Sequence, residues 1–171
     1  MNIYLNISTI KNANNIIDLR DDIRYLYPKK NTIMEGEFTK ILFSKNNITM
    51  NGLYLYLPLS VDTTTNNNHT KNNYNKNKNE IYIRNLARTS LNNQIISDLK
   101  QLEKSILNHY IEYTKCGKPP EYILNKQLLT NQIRVYHDNY GIKKKNKYVI
   151  KISGIWETNC KMGLTYKIME L

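Results

Sequence analysis

The sequence is poor in the residue patterns that carry most catalytic and metal chemistry. Its two cysteines, Cys116 and Cys160, form no C-x-x-C pair and no framework, the usage expected of a reduced intracellular compartment. The three histidines, His69, His109 and His137, have no ligand spacing to one another or to a cysteine, so no metal site and no cofactor are expected. There is no G-x-G-x-x-G, no G-x-x-x-x-G-K-[ST], no G-x-S-x-G and no H-E-x-x-H, which removes the common signatures of dinucleotide, phosphate, acyl-transfer and zinc-protease sites. A nuclease would gather several acids around a metal. Here the 14 acids are scattered, and Glu35 with Glu37, just before a strand, is the nearest approach. Neighbouring acids at such a place are commonplace, so the chain is not expected to be an enzyme. No run of about 18 apolar residues and no signal-peptide core occurs, and a soluble protein without a membrane partner is expected.

What the sequence does have is positive charge, asparagine and tyrosine. Lysine and arginine outnumber acids 25 to 14, for a net charge of +11. The excess is uneven: residues 1–60 carry +2, 61–90 carry +3, 91–130 carry +1 and 131–171 carry +5. Clustered positive charge favours a polyanion, either nucleic acid or an anionic membrane surface. The 26 asparagines, with abundant Ile, Lys and Tyr, are also what an A+T-rich genome produces. Position, rather than composition, therefore has to carry any binding argument.

At 171 residues the chain is expected to form a single domain. Ile3, Leu5 and Ile7 alternate as a short strand, and Ile16, Leu19, Ile23 and Leu26 fall at helical spacing up to Pro28, so that residues 1–34 read as an N-terminal strand and helix extension. Strands follow at Phe38 to Phe43 and Ile48 to Leu59, where four leucines, 53 to 59, alternate with Tyr54, Tyr56 and Pro58, and Gly52 marks a bend. Val61 to Asn79 is polar, basic and Asn-rich, the composition of a disordered loop. After a short strand at Ile81 to Ile83, Ser90 is read as the N-cap of the longest helix, which Cys116-Gly117 stops. A second helix is expected over Pro120 to Leu129, then a strand over Ile133 to Tyr136. A hairpin, Tyr148 to Glu157 with Leu164 to Leu171, closes the sheet. Strict alternation puts Trp156 with Ile150 and Ile152 in the core, and Glu157 with Lys151 outside. This order predicts an α+β fold, a mostly antiparallel sheet forming a five-stranded OB-type barrel with one long helix between strands 3 and 4; an open sheet with a helix packed on one face would produce a similar string.

If the leucine and isoleucine faces are core, the opposite faces present Tyr54, Tyr56, Tyr82, Arg84, Arg134, Tyr136, Lys151 and Lys167, with the basic run Lys143, Lys144, Lys145 and Lys147 leading into the hairpin. Aromatic rings offer bases a stacking surface worth about 1–3 kcal/mol each, and cationic side chains displace counterions from phosphates. Neither interaction reads sequence, so the expected partner is single-stranded nucleic acid, DNA favoured. Tyrosine is also simply a good strand former. A basic viral structural or assembly protein is the alternative reading, and a small nuclease using Glu35 or Glu37 a third.

Met50–Tyr56 (MNGLYLY), Lys151–Glu157 (KISGIWE) and Gly163–Lys167 (GLTYK) resemble segments of the OB-fold single-stranded-DNA-binding proteins of large eukaryotic DNA viruses. That family is in turn similar to a bacteriophage type. The resemblance implies a viral protein that coats single-stranded DNA during replication, recombination or repair inside an infected host cell, in its nucleus or at a cytoplasmic viral replication site, with replication proteins as further partners. The phage type carries an acidic C-terminal tail that recruits them, whereas this chain ends in IMEL. Such docking would then use another surface.

Overall fold

The computed structural model describes residues 5–6, 20–31, 35–60, 80–83, 89–130, 133–136 and 147–170. Its centre is the expected hairpin. Strands β10 (Tyr148–Glu157) and β11 (Met162–Glu170) pair antiparallel from Tyr148 opposite Glu170 to Glu157 opposite Met162. The turn is held by Thr158, whose amide donates to the Lys161 carbonyl at 2.8 Å and whose hydroxyl accepts from the Lys161 amide at 3.3 Å. The second strand thus begins two residues earlier than its apolar pattern suggests.

One extra residue in β10 organises everything around it. The register passes from Ile152 opposite Tyr166 to Gly154 opposite Thr165, leaving Ser153 as a bulge. Up to the bulge, β10 pairs with β6 (Leu53–Leu57), Ile152 facing Leu53. Beyond it, β10 pairs with β4 (Gly36–Lys45), from Gly154 opposite Lys40 to Glu157 opposite Glu37. Strand β5 (Ile48–Met50) folds back on β4, and the bend at Asn51-Gly52 turns the chain from β5 into β6. Gly52 has φ of +105°, and a Cβ there would lie 2.7 Å from the Ile152 carbonyl oxygen, so the bend needs glycine twice over.

On the far side of β4 lie β2 (Ile23–Tyr25) and β3 (Lys29–Asn31), both antiparallel to it. Ile23 to Tyr25 is therefore strand, where the sequence spacing predicted helix. Ile23 and Tyr25 both turn toward the core, Arg24 turns away, and the Leu26 amide donates to the Lys40 carbonyl at 2.9 Å. An open β4 edge satisfies more backbone groups than one isolated helical turn could. At the other end, β9 (Ile133–Tyr136) runs parallel to β11, and β7 (Glu80–Ile83) pairs antiparallel with β9. Short β1 (Leu5–Asn6) lies parallel to β6, and β8 (Pro120–Glu121) parallel to β11. The expected stretches Ile16 to Leu19 and Val61 to Asn79 lie outside the described residues.

Among the described residues the fold is α+β, with a mixed, mostly antiparallel sheet and two helices. The sheet is open: its path runs β1-β6-β10-β11-β9-β7, and no bridge among the described residues joins the two ends. Closure into a five-stranded barrel is therefore not what these strands do. The long helix α1 (Ser90–Thr114) does come between the strands at 80–83 and 133–136, as expected. Its N-cap is Thr89, whose hydroxyl accepts from the Asn92 amide at 3.1 Å, and Lys115 ends it in the left-handed region at φ 57°.

Helix α1 lays Ile95, Leu99, Leu102, Ile106, Leu107 and Tyr110 on the inner sheet face, against Leu53, Leu55, Leu57, Ile150, Ile152, Ile155, Leu164 and Ile168. Helix α2 (Ile123–Leu129) adds Leu124 and Leu128. It starts three residues later than expected. Pro120 and Glu121 pair with β11 instead, and the helix begins only where the buried Glu103 carboxylate accepts the Leu124 and Asn125 amides at 2.9 and 2.8 Å. Burial pushes the Glu103 carboxyl above its usual range, although these amides pull it down.

Gly154 tests the bulge. A Cβ there would sit 2.4 Å from the Thr39 carbonyl oxygen and 2.5 Å from Phe38 Cζ, whereas one at Gly117 would meet nothing within 4 Å. Gly154→Ala is expected to lower the unfolding free energy by about 1–3 kcal/mol, because the carbonyl cannot move aside without disturbing the ladder. Gly117→Ala should change it by less than about 0.5 kcal/mol. Urea titrations of both variants check this.

Candidate functional site

The bulge decides which side chains share a surface. Before Ser153, the outer face of β10, opposite the helices, carries Val149 and Lys151; after it, Gly154 and Trp156. Registers with the neighbouring strands then place four rows across this face. The first is Tyr56, Val149, Met169 and Tyr136; the second is Tyr54, Lys151 and Lys167. The third is Lys40, Gly154 and Thr165; the fourth is Lys29, Phe38, Trp156 and Gly163. Val149 is completely buried between its flanking side chains, and the tyrosines and the lysines of the first three rows are half-buried.

Cations lie over rings along this face. Lys151 Nζ is 5.1 Å from the centroid of Tyr54, and Lys167 Nζ is 4.6 Å from that of Tyr136. The Arg134 guanidinium also lies 5.2 Å from the Tyr136 ring. Such contacts contribute about 0.5–1 kcal/mol at exposed sites. Ion pairs are formed by Lys45, Lys118, Lys126 and Lys161, but among the described residues Lys29, Lys40, Lys151 and Lys167 have no carboxylate partner. Among the described residues the four rows carry no acid as far as Tyr136, and by register the first row continues to Glu80 at the sheet edge.

Six of the residues singled out from the sequence therefore meet on one face: Tyr54, Tyr56, Arg134, Tyr136, Lys151 and Lys167. The Tyr82 backbone stands in register with Arg134 at the edge of the same face. Lys147 is exposed just before β10. Arg84, Lys143, Lys144 and Lys145 lie outside the described residues.

Trp156 is a correction. It is buried, at 8% exposure, but on the outer face and not in the core, because the bulge exchanges its place with Ile155. Its ring covers Gly163, where a Cβ would come 2.6 Å from Trp156 Cζ2, and Phe38 covers Gly154 in the same way. An aromatic ring shielding a cross-strand glycine compensates for the missing side chain. Lys29, Lys40 and Phe38 also share this face and escaped the sequence reading. Lys29 followed a segment read as helix, and Phe38 to Phe43 is apolar on both parities, so alternation gave no sign of which side Lys40 took.

The same bulge turns Glu157 inward, where the sequence placed it outside. Its Oε1 accepts from the Tyr110 hydroxyl at 2.5 Å and its Oε2 from Lys118 Nζ at 2.9 Å, with Cys116 Sγ at 3.6 Å. Thr39 Oγ1 completes the network, 2.9 Å from the Tyr110 hydroxyl. Glu157 borders a cleft of about 530 Å³ that also exposes Glu35, Glu37, Lys30 and Lys118. Glu37 stands directly across from Glu157, the arrangement closest to the third reading. Among the described residues, however, no group of three or more His, Cys, Asp or Glu side chains is placed to hold a metal ion.

Comparison with family models, with curated proteins and with solved structures found no significant match. Among the described residues no helix is long and apolar enough to cross a membrane.

Burial alone would raise the Glu157 carboxyl, but the Tyr110 and Lys118 hydrogen bonds outweigh it and hold it below the usual carboxylate range. A depressed native value makes its charge stabilising above the ordinary pKa of 4.5, and that contribution disappears as pH falls through the lowered native value. Glu157→Gln should therefore cost about 1.5–3 kcal/mol near neutral pH, the worth of a charged hydrogen bond. The difference from wild type should shrink steadily once the pH drops below 4.5, as read from urea midpoints across an acid series.

Proposed function

We propose that this protein binds single-stranded nucleic acid, DNA in preference, on the outer face of its sheet and with little regard to sequence. The observation that carries this reading is the set of lysines without carboxylate partners among the described residues, interleaved with tyrosines, Lys151 and Lys167 lying against Tyr54 and Tyr136. Unpaired cations on one surface attract a polyanion, and rings standing among them offer unstacked bases a platform. Duplex bases present no free faces to such rings, so the preference is for single strands.

The finer fold reading belongs to the same proposal. The coiled antiparallel run β4, β5 and β6 with β10 and β11, and the long helix intervening in the chain, support an OB-type arrangement left open at its edges. The corresponding role is the coating of single strands during replication, recombination or repair of a viral genome in an infected cell, with replication proteins as partners. Catalysis has no part in it.

Binding to fluorescent oligo(dT), followed by anisotropy over a salt series, tests the reading. A protein that makes Z phosphate contacts should give a log–log slope of about −0.7Z. Lys151→Gln/Lys167→Gln should reduce that slope by about 1.4, the value of two contacts. Tyr54→Ala/Tyr56→Ala should weaken binding at every salt concentration by about 1–3 kcal/mol per lost stacked base. Equal affinity for duplex, or capture by anionic vesicles without affinity for oligo(dT), would overturn the proposal.

A further inference from the structure

We infer that the single-strand path does not end at Tyr54 and Lys151 but continues beyond the β10 bulge, over Phe38, to a second cationic subsite formed by Lys40 and Lys29. The inference rests on the binding reading above and extends it to residues on β3 and β4.

Geometry makes the two halves one surface. Lys151 and Trp156 are separated along β10 by the bulge and four extended steps, about 13 Å at strand rise. Between them lies Gly154, whose neighbours in the row are Lys40 and Thr165, so no large side chain rises from the middle strand to separate the subsites. The Phe38 ring closes over Gly154 and remains half-buried, an aromatic surface between Lys40 and Lys29.

Charge points the same way. Lys40 and Lys29 have no carboxylate partner among the described residues, and Lys29 is fully on the surface. Lys161 sits beside the same row, 6.0 Å from the Trp156 ring, but Glu121 holds its ammonium at 2.6 Å, with Lys126 on the other carboxylate oxygen. That cation is neutralised in place, so the path is drawn toward β3 and β4 and away from the hairpin turn. Trp156 is too deeply covered to stack a base and acts as a floor.

The two subsites predict that affinity depends on strand length. Oligo(dT) of about 4 nucleotides should fill only the Tyr54–Tyr136 half, and about 12 should reach both, within the range for one sheet of this kind. Lys29→Gln/Lys40→Gln should leave the short oligonucleotide within about twofold of wild type. It should weaken the long one by on the order of 10-fold at 0.1 M salt and lower its slope by about 1.4, the value of two phosphate contacts. Lys100→Gln/Lys104→Gln on α1 removes the same charge from the opposite side and should affect neither, and urea midpoints confirm that all variants fold.

If Lys29→Gln/Lys40→Gln changes neither length while Lys151→Gln/Lys167→Gln weakens both, the extension is wrong and the primary site stands. The extension is equally wrong if the β3 and β4 pair weakens both lengths to the same degree, since a distant field and not a contact would then be responsible. If neither lysine pair matters, the binding reading fails and takes this one with it.

Discussion

A single inserted residue, Ser153, is the constraint on which the rest of this structure depends. A strand alternates strictly, so one extra residue exchanges the faces of everything after it. Ile155 and Glu157 go inward, while Gly154 and Trp156 go outward. The bulge is also where β10 leaves β6 and takes up β4, which lets one strand serve two sheet segments that twist apart. Three backbones converge there, and two glycines make room: Gly52 against the Ile152 carbonyl and Gly154 against that of Thr39.

The inward turn of Glu157 then decides where the negative charge goes. A carboxylate buried against α1 requires compensation, and Tyr110, Lys118 and Cys116 supply it. Glu103 is used similarly, as the cap that joins α1 to α2. Asp22 is engaged by Lys45, Asp98 by Gln94, and Glu121 by Lys126 and Lys161. These acids thus anchor the helical layer, the turns and the strand ends, while the charged residues of the four outer rows, up to Glu80 at the sheet edge, are lysines. A net charge of +11 would mean little if spread evenly. Lysines that share one face without a carboxylate partner among the described residues, as Lys29, Lys40, Lys151 and Lys167 do, make the potential there locally positive.

Much of this was readable from the residues themselves. The three- and four-residue steps from Leu91 to Tyr113, the alternating leucines from 53 to 57 and the lysine-bearing hairpin are local patterns, and local patterns survive folding. The failures involve non-local partners. Ile23 and Leu26 fit a helical period, yet Ile23 and Tyr25 equally fit a strand, and only the free edge of β4 decides between them. Pro120 can open a helix or lie beside a strand, and β11 decides that too. Trp156 was misplaced because a bulge leaves little local mark: Ser153-Gly154 was the one available sign, and small residues are common in strands for other reasons. Closure of a sheet is the least local property of all, which is why a plausible strand order did not guarantee a barrel.

On the proposed reading, the lysines of the outer face have two alternative places. In the structure, Lys151 and Lys167 lie over tyrosine rings, an arrangement that contributes about 0.5–1 kcal/mol per contact at exposed sites. It keeps the ammonium groups on the sheet and covers the rings they would share with bases. A stacked base contributes about 1–3 kcal/mol, more than the contact it displaces, and the released ammonium is then free to meet a phosphate and expel its counterion. Ring and cation therefore exchange partners together, and the exchange is favourable only for a ligand that supplies both a flat face and a nearby negative charge. A lipid headgroup or an acidic peptide supplies the charge without the face; an unpaired nucleotide supplies both, whichever base it carries.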